Sequence, residues 1–138
     1  MSAVEIREFT AADAGALEAF WVRCGLRIRP GDDPPSLVRF AERNPGLFLL
    51  ALDESRIVGS ALAGWDGRRG WLYHVGTDPD RRRGGIGRAL VAAIETRLRD
   101  LGCPKLNLIV WDDNEQAMAF WRALGYRREA TVGFSKEL

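Results

Sequence analysis

The chain has 138 residues, of which 46% are hydrophobic and 28% charged, and its formal net charge is +1. That length suits one folded domain with a real core, and the composition is that of an ordinary globular protein. The near-neutral balance argues against a nucleic-acid-binding surface, and no apolar run is long enough to cross a bilayer. Two cysteines, Cys24 and Cys103, lie far apart without a Cys-x-x-Cys pair. They read as reduced thiols acting as small buried hydrophobes, with no disulfide framework and no metal site. The first residues, Met1 to Arg7, have no apolar signal region, so the expected compartment is the cytoplasm.

Val4, Ile6 and (one place out of register) Phe9 sit among charged residues and predict a short first strand. Thr10 with Asp13 resembles a capping box, with Asp where Glu or Gln is usual. Leu17, Phe20, Trp21 and Cys24 then line one helical face, and Gly25 ends the helix. Arg27–Pro35 is a turn-rich loop, and Ser36–Arg43 reads as a second helix stopped by Asn44-Pro45-Gly46. Leu47–Leu52 is an apolar run suited to a central strand. After Asp53-Glu-Ser55, Arg56–Trp65 returns as the next strand, where Gly59 and Gly64 fit a bulge or the close approach of a neighbour. Asp66-Gly67 signals a hairpin into Trp71–Thr77. Alternation in that strand puts Trp71, Tyr73, Val75 and Thr77 on one side and Leu72 and His74 on the other.

Asp78-Pro79 ends this strand. Arginines follow, then Gly84, Gly85 and Gly87, and a helical period carried by Ile86, Leu90, Ile94, Leu98 and Leu101. A glycine-rich loop thus joins a strand to a helix start. The first turn of a helix has unpaired N–H groups and a partial positive charge. Glycine lets a ligand approach that backbone, and consecutive amides in such a turn form an anion-binding nest. Arg82, Arg83 and Arg88 add charge suited to phosphate. The physical reading is a pyrophosphate site; a basic connection that binds nothing has the same local composition. A Walker loop is excluded because Arg88-Ala89 follows Gly87 where Lys-Ser or Lys-Thr is needed. A Rossmann fingerprint is excluded by the glycine spacing and by the lack of an acid within the next strand, Lys105–Val110. Gly102 ends the helix, and Asp112-Asp113-Asn114 caps another carrying Ala117, Phe120 and Leu124. Tyr126–Glu129 and Thr131–Lys136 read as closing strands. The element order β-α-α-β-β-β-α-β-α-β-β is α+β with a mixed, mainly antiparallel sheet.

Arg82-Arg-Gly-Gly-Ile-Gly87 resembles the Gln/Arg-x-x-Gly-x-Gly/Ala signature of the GNAT superfamily of acyl-CoA-dependent N-acetyltransferases. Asn114-Glu-Gln-Ala-Met-Ala-Phe-Trp-Arg-Ala-Leu-Gly-Tyr126 is similar to that family's Asn-x-x-Ala-x-x-Phe-Tyr-x-x-x-Gly-Phe/Tyr segment. Val4–Thr10 and Arg56–Gly64 resemble its first and third strands, and the Gly-Cys-Pro-Lys turn at Gly102–Lys105 resembles its small bacterial YpeA-like branch. The resemblance implies a three-layer α/β/α arrangement over residues 1–138 as one domain. It implies about seven strands flanked by about four helices, with Gly76 marking a bulge that splays two parallel strands.

It further implies an enzyme that transfers an acetyl group from acetyl-CoA to a primary amine of a small molecule or peptide, without a metal. A homodimer is common in the family. The cofactor arm would lie along Val75 and Thr77, its pyrophosphate on Arg82, Arg83, Gly84, Gly85, Ile86, Gly87 and Arg88. Asn114 maps to a residue contacting the arm, though it also suits a helix cap. The helical region before Leu47 would cover the acceptor site. Transfer to an amine needs a neutral nucleophile and a stabilised oxyanion. Two family positions depart from pattern. Trp121 stands where a tyrosine commonly protonates the thiolate, and Trp71 stands where a carboxylate base is common. Tyr73 is the first substitute as acid or water-orienting group. Tyr126 maps to a structural aromatic, and alternation aims His74 away from the cleft. Asp66, Asp112 and Asp113 are candidates for attracting a cationic amine. Trp21, Trp65, Trp71, Trp111 and Trp121 are core residues or acceptor-pocket walls. A catalytically silent acyl-CoA-binding module is the alternative, motivated by Trp71 and Trp121.

Overall fold

The structure, a computed structural model, describes residues 4–138. The chain divides into two compact units, one running to Leu108 and the other spanning Ile109–Leu138.

In the first unit, strands β1 (Val4–Glu8), β2 (Phe48–Asp53), β3 (Arg56–Trp65), β4 (Gly70–Thr77) and β5 (Leu106–Leu108) form one sheet in sequence order. The first four run antiparallel, and β5 lies parallel to β4. Helices α1 (Ala14–Arg23) and α2 (Pro34–Arg43) lie between β1 and β2, and α3 (Ile86–Asp100) between β4 and β5. Alternation along β2 decides the two faces. Phe48, Leu50 and Leu52 join Leu17, Phe20, Trp21 and Leu37 of α1 and α2 in one core. The opposite face packs on α3, whose buried Ile86, Leu90, Val91, Ile94 and Leu98 recur at helical spacing. Burying each such side chain contributes about 1.5–3 kcal/mol.

Gly59 shows how close the α3 face is. A Cβ there would fall 2.7 Å from Ile86 Cγ2 and 3.1 Å from Ala51 Cβ. Close approach of a neighbour is thus its reason, and the β3 bulge falls at Val58, between the pairs Ala51–Gly59 and Leu52–Ile57.

Local chemistry sets the helix starts. The Thr10 amide donates to Asp13 Oδ2 at 2.7 Å, as the capping-box reading requires, and one 3-10 turn precedes α1. Helix α2 starts earlier than Ser36. Asp33 accepts from the Ser36 amide at 3.1 Å, and Pro34 and Pro35 occupy first-turn positions that need no donor. Asp66 Oδ1 accepts from the amides of Arg68 and Arg69, closing the β3–β4 hairpin.

The second unit holds helix α4 (Glu115–Ala123). The two closing strands expected over Tyr126–Glu129 and Thr131–Lys136 are absent among the described residues, so the sheet has five strands and not about seven. Apolar alternation makes a segment able to pair, but a strand exists only through a partner ladder, and this unit supplies none. No described helix is long and apolar enough to cross a membrane.

Candidate active site

Strand β4 carries the site, and a bulge shapes it. Ser60 of β3 pairs with Gly76 and Leu62 pairs with Tyr73, so His74 and Val75 together face a single β3 residue. The bulge therefore lies at His74–Val75 and not at Gly76. His74 has φ +45°, a sparsely populated conformation for a residue with a Cβ. Gly76 answers a steric demand instead: a Cβ there would meet Leu26 Cδ1 at 3.0 Å and Cys24 Sγ at 3.4 Å.

The extra residue breaks the even alternation expected from sequence. Tyr73 stays on the α1–α2 face, its ring edge-on to Phe40 with centroids 6.1 Å apart. His74 turns to that same face, its ring 4.4 Å from that of Trp21. Thr77 pairs with Gly59 and so belongs to the α3 face, away from Trp71 and Tyr73. The expectation that His74 lies on the opposite side from Tyr73, and that Thr77 shares a side with Tyr73, is thereby corrected.

Hydrogen bonds hold this geometry. Trp21 Nε1 donates to Ser60 Oγ at 2.9 Å, and Ser60 Oγ donates to the His74 carbonyl at 2.8 Å. His74 Nε2 lies 2.7 Å from Asp32 Oδ2, which also accepts from the Arg29 amide at 2.8 Å. Burial pushes the Tyr73 phenol above its ordinary value, favouring the protonated form.

Strands β4 and β5 pair only from Gly70–Leu106 to Leu72–Leu108. Beyond Leu72, β4 keeps its β3 partner, and its other edge carries no strand among the described residues. An open edge with the ladder groups of Tyr73–Thr77 thus leads directly into the glycine-rich loop.

A buried carboxylate anchors that loop. Asp78, 1% exposed, accepts from Arg23 at 3.0 Å, Arg56 at 3.0 Å and the Asp80 amide at 2.9 Å. Chiefly because of the Arg23 hydrogen bond, its carboxyl titrates at about 2. Arg81 pairs with Asp53. The arginines that shape the loop are therefore neutralised by carboxylates. Arg82, Arg83 and Arg88 are exposed and pair with no carboxylate among the described residues. Arg83 and Gly85 both have positive φ, +70° and +82°, the left-handed conformation that anion-binding nests use. Gly85 is the N-cap of α3 and offers no side-chain cap. The first intrahelical bond here runs from the Ala89 amide to the Gly85 carbonyl, leaving the preceding first-turn amides for another acceptor. A Cβ at Gly85 would meet nothing within 4 Å, so no neighbouring atom crowds that position. These features fit a diphosphate.

Comparison with known proteins agrees with this geometry. The model of the acetyltransferase (GNAT) family matches residues 10–126. The chain belongs to that family. Its class is that of the acyl-CoA-dependent N-acetyltransferases. It is 38% identical over 136 residues to an acetyltransferase of Yersinia enterocolitica, covering 98% of this chain and 96% of that one. An acetyltransferase of Pectobacterium atrosepticum is equally similar, with the same identity and coverage. Among solved structures, PaiA N-acetyltransferase from Thermoplasma acidophilum in complex with coenzyme A has a TM-score of 0.82 at 21% identity. The match covers 95% of this chain and 94% of that one.

The acetyltransferase fold thus brings Tyr73, Val75, Thr77 and the span from Arg82 to Arg88 onto one continuous strand–loop–helix. Asn114 belongs to the second unit, where its side-chain oxygen caps α4 by accepting from the Ala117 amide at 3.0 Å. In that unit the Trp121 ring stands edge-on to Tyr126, 5.1 Å between centroids. Trp21 is fully buried and is a core residue with a structural donor. Three contributors escaped the sequence reading: Asp32, Ser60 and the anchoring role of Asp78. Asp78 carried a faint signal, an acid between a strand and a run of arginines. Cys24 is half-buried, and burial drives its thiol up to about 11, keeping it protonated.

Proposed function

We propose that the protein transfers an acetyl group from acetyl-CoA to a primary amine by direct attack. The observation that carries this reading is the continuity of an open β4 edge, Tyr73–Thr77, with an amide-lined, unneutralised basic turn, Arg82–Arg88. The family match crosses the boundary at Leu108, which supports treating both units as a single domain.

The amides and arginines of the turn would hold the diphosphate, and the β4 edge would pair with the pantetheine arm as a short added strand. Bound acetyl-CoA supplies an activated thioester. The bulge at His74–Val75 leaves a ladder position unpaired, and a main-chain N–H there is the kind of donor a developing oxyanion needs. Holding amine and thioester in line lowers the barrier by orientation. Tyr73, half-exposed on the α1–α2 face and protonated, would supply a proton to the departing thiolate or orient a water. Asn114 keeps its capping role, and a cofactor contact for it rests on the family resemblance alone.

The silent acyl-CoA-binding module is the second reading, favoured by Trp71 and Trp121 at the usual proton-transfer positions. Incubation with acetyl-CoA and a panel of polyamines, amino acids, aminoglycosides and peptides, followed by free thiol, separates the two. Amine-dependent thiol release is expected. Coenzyme A binding with no release on any amine would leave the silent module.

A further inference from the structure

We propose that His74 is the general base of the transfer and that Asp32 positions it; this rests on the acetyltransferase reading above. The bulge sets the ring on the α1–α2 face at the point where β4 loses its β5 neighbour. Residues held at unusual φ persist only where their surroundings fix them, and such strain concentrates at functional sites. Here Ser60 fixes the backbone and Trp21 backs the ring. A carboxylate only accepts, so the 2.7 Å contact puts the proton of the neutral ring on Nε2 and leaves Nδ1 with the lone pair. Asp32 is itself held: its Oδ2 accepts from the Arg29 amide, and its own amide donates to the Arg29 carbonyl at 3.1 Å. Among the described residues Nδ1 has no hydrogen-bond partner, and no buried side-chain nitrogen is left unsatisfied, so this atom reaches solvent. With the side chain only 15% exposed, one nitrogen is anchored and the other accessible. This is the third member's task in a base–orienter pair.

A loop tether alone would need only Nε2 and would not require the backbone strain. Trp71 and Trp121 cannot accept a proton, and Tyr73 is held in its protonated form. Of the titratable or charged groups nearby, Arg82 donates to the Cys24 carbonyl at 3.5 Å. Cys24, just after α1, stays protonated through burial, and Arg23 turns to Asp78 and Asp80. Asp33, beside Asp32, is bound to Ser36. Trp21, Phe40 and Ser60, from α1, α2 and β3, carry no charge.

In the step, the amine nitrogen bonds to the acetyl carbon and its proton passes to His74 Nδ1. The carbon–sulfur bond breaks, its electron pair leaves on the thiolate, and the thiolate takes a proton from Tyr73 or water.

The chain has a single histidine, so its ring signals in a 15N-labelled sample need no assignment by mutation. The tautomer with hydrogen on Nε2 is expected in wild-type protein; hydrogen on Nδ1 would overturn the proposal without touching the acetyltransferase reading. His74→Asn removes the base while suiting a positive φ. It should lower kcat by about 100-fold or more and remove the imidazole's own contribution to the acidic limb of kcat/KM, leaving that of the amine substrate, with coenzyme A affinity unchanged by calorimetry. Asp32→Asn should lower kcat roughly tenfold or more at unchanged coenzyme A affinity. A His74→Asn protein with the parental rate and pH profile would overturn the base and leave acetyl transfer standing. Wild-type protein that turns over no amine would overturn the acetyltransferase reading and the base with it. Should the variant fail to fold, the tautomer of the wild-type ring still decides.

Discussion

Asp78→Asn tests whether one buried carboxylate holds the loop. Folding lowers the Asp78 carboxyl from 3.8 to about 2, first through the Arg23 hydrogen bond. Lowering it that far corresponds to ~2.5 kcal/mol. Arg23 and Arg56 are 45% and 65% exposed, so water screens part of this. An expected loss of ~1–2 kcal/mol remains. With a urea slope of about 1.5 kcal/mol per molar, the midpoint at pH 7 should fall by about 0.7–1.3 M. The sign follows from linkage. A carboxyl whose folded value is depressed stabilises the fold above its unfolded value, and the contribution drains away as pH falls from 3.8 toward about 2. The gap between wild type and variant should therefore shrink by about two-thirds between pH 7 and pH 2.5. Coenzyme A should bind the variant more weakly, because Asp78 starts the turn that presents the amides. Equal midpoints at pH 7, or a gap of the same size at both pH values, would refute the anchoring role.

Ser60→Ala leaves the buried Trp21 N–H without its acceptor and frees the His74 carbonyl. A loss of ~1–3 kcal/mol in urea unfolding is expected, together with a fall in kcat; unchanged stability would mean the bulge does not depend on this chain. Gly85→Val forces a β-branched residue to φ +82° in open space, so folding should suffer by only ~1–2 kcal/mol. Coenzyme A affinity should drop tenfold or more by calorimetry, and an unaltered Kd would remove the loop from the site. Tyr73→Phe should lower kcat while leaving coenzyme A binding intact; an unaffected rate would end its role as proton donor.

What was legible in the sequence was local. The strand, the glycine-rich turn and the helix after it are contiguous, so Trp71–Leu101 could be read from periodicity and turn chemistry alone. The α1–α2 and α3 faces followed from the same periods. The bulge was not legible, because its residue is a histidine and not a glycine. Its φ is fixed by Ser60, 14 positions away, while the ring meets Asp32, 42 positions away. Strict alternation then sent His74 to the wrong face. Asp78 read only as the end of a strand, since its partner Arg23 lies 55 positions earlier. The closing strands were over-read because alternation over 126–136 reports capacity to pair, and pairing depends on an edge elsewhere.

A crystal structure with coenzyme A bears most directly on the phosphate loop. The diphosphate should lie on the amides of Arg82–Arg88 at the start of α3, with the pantetheine arm along Tyr73–Thr77. A diphosphate bound elsewhere, with those amides facing water, would contradict the assignment.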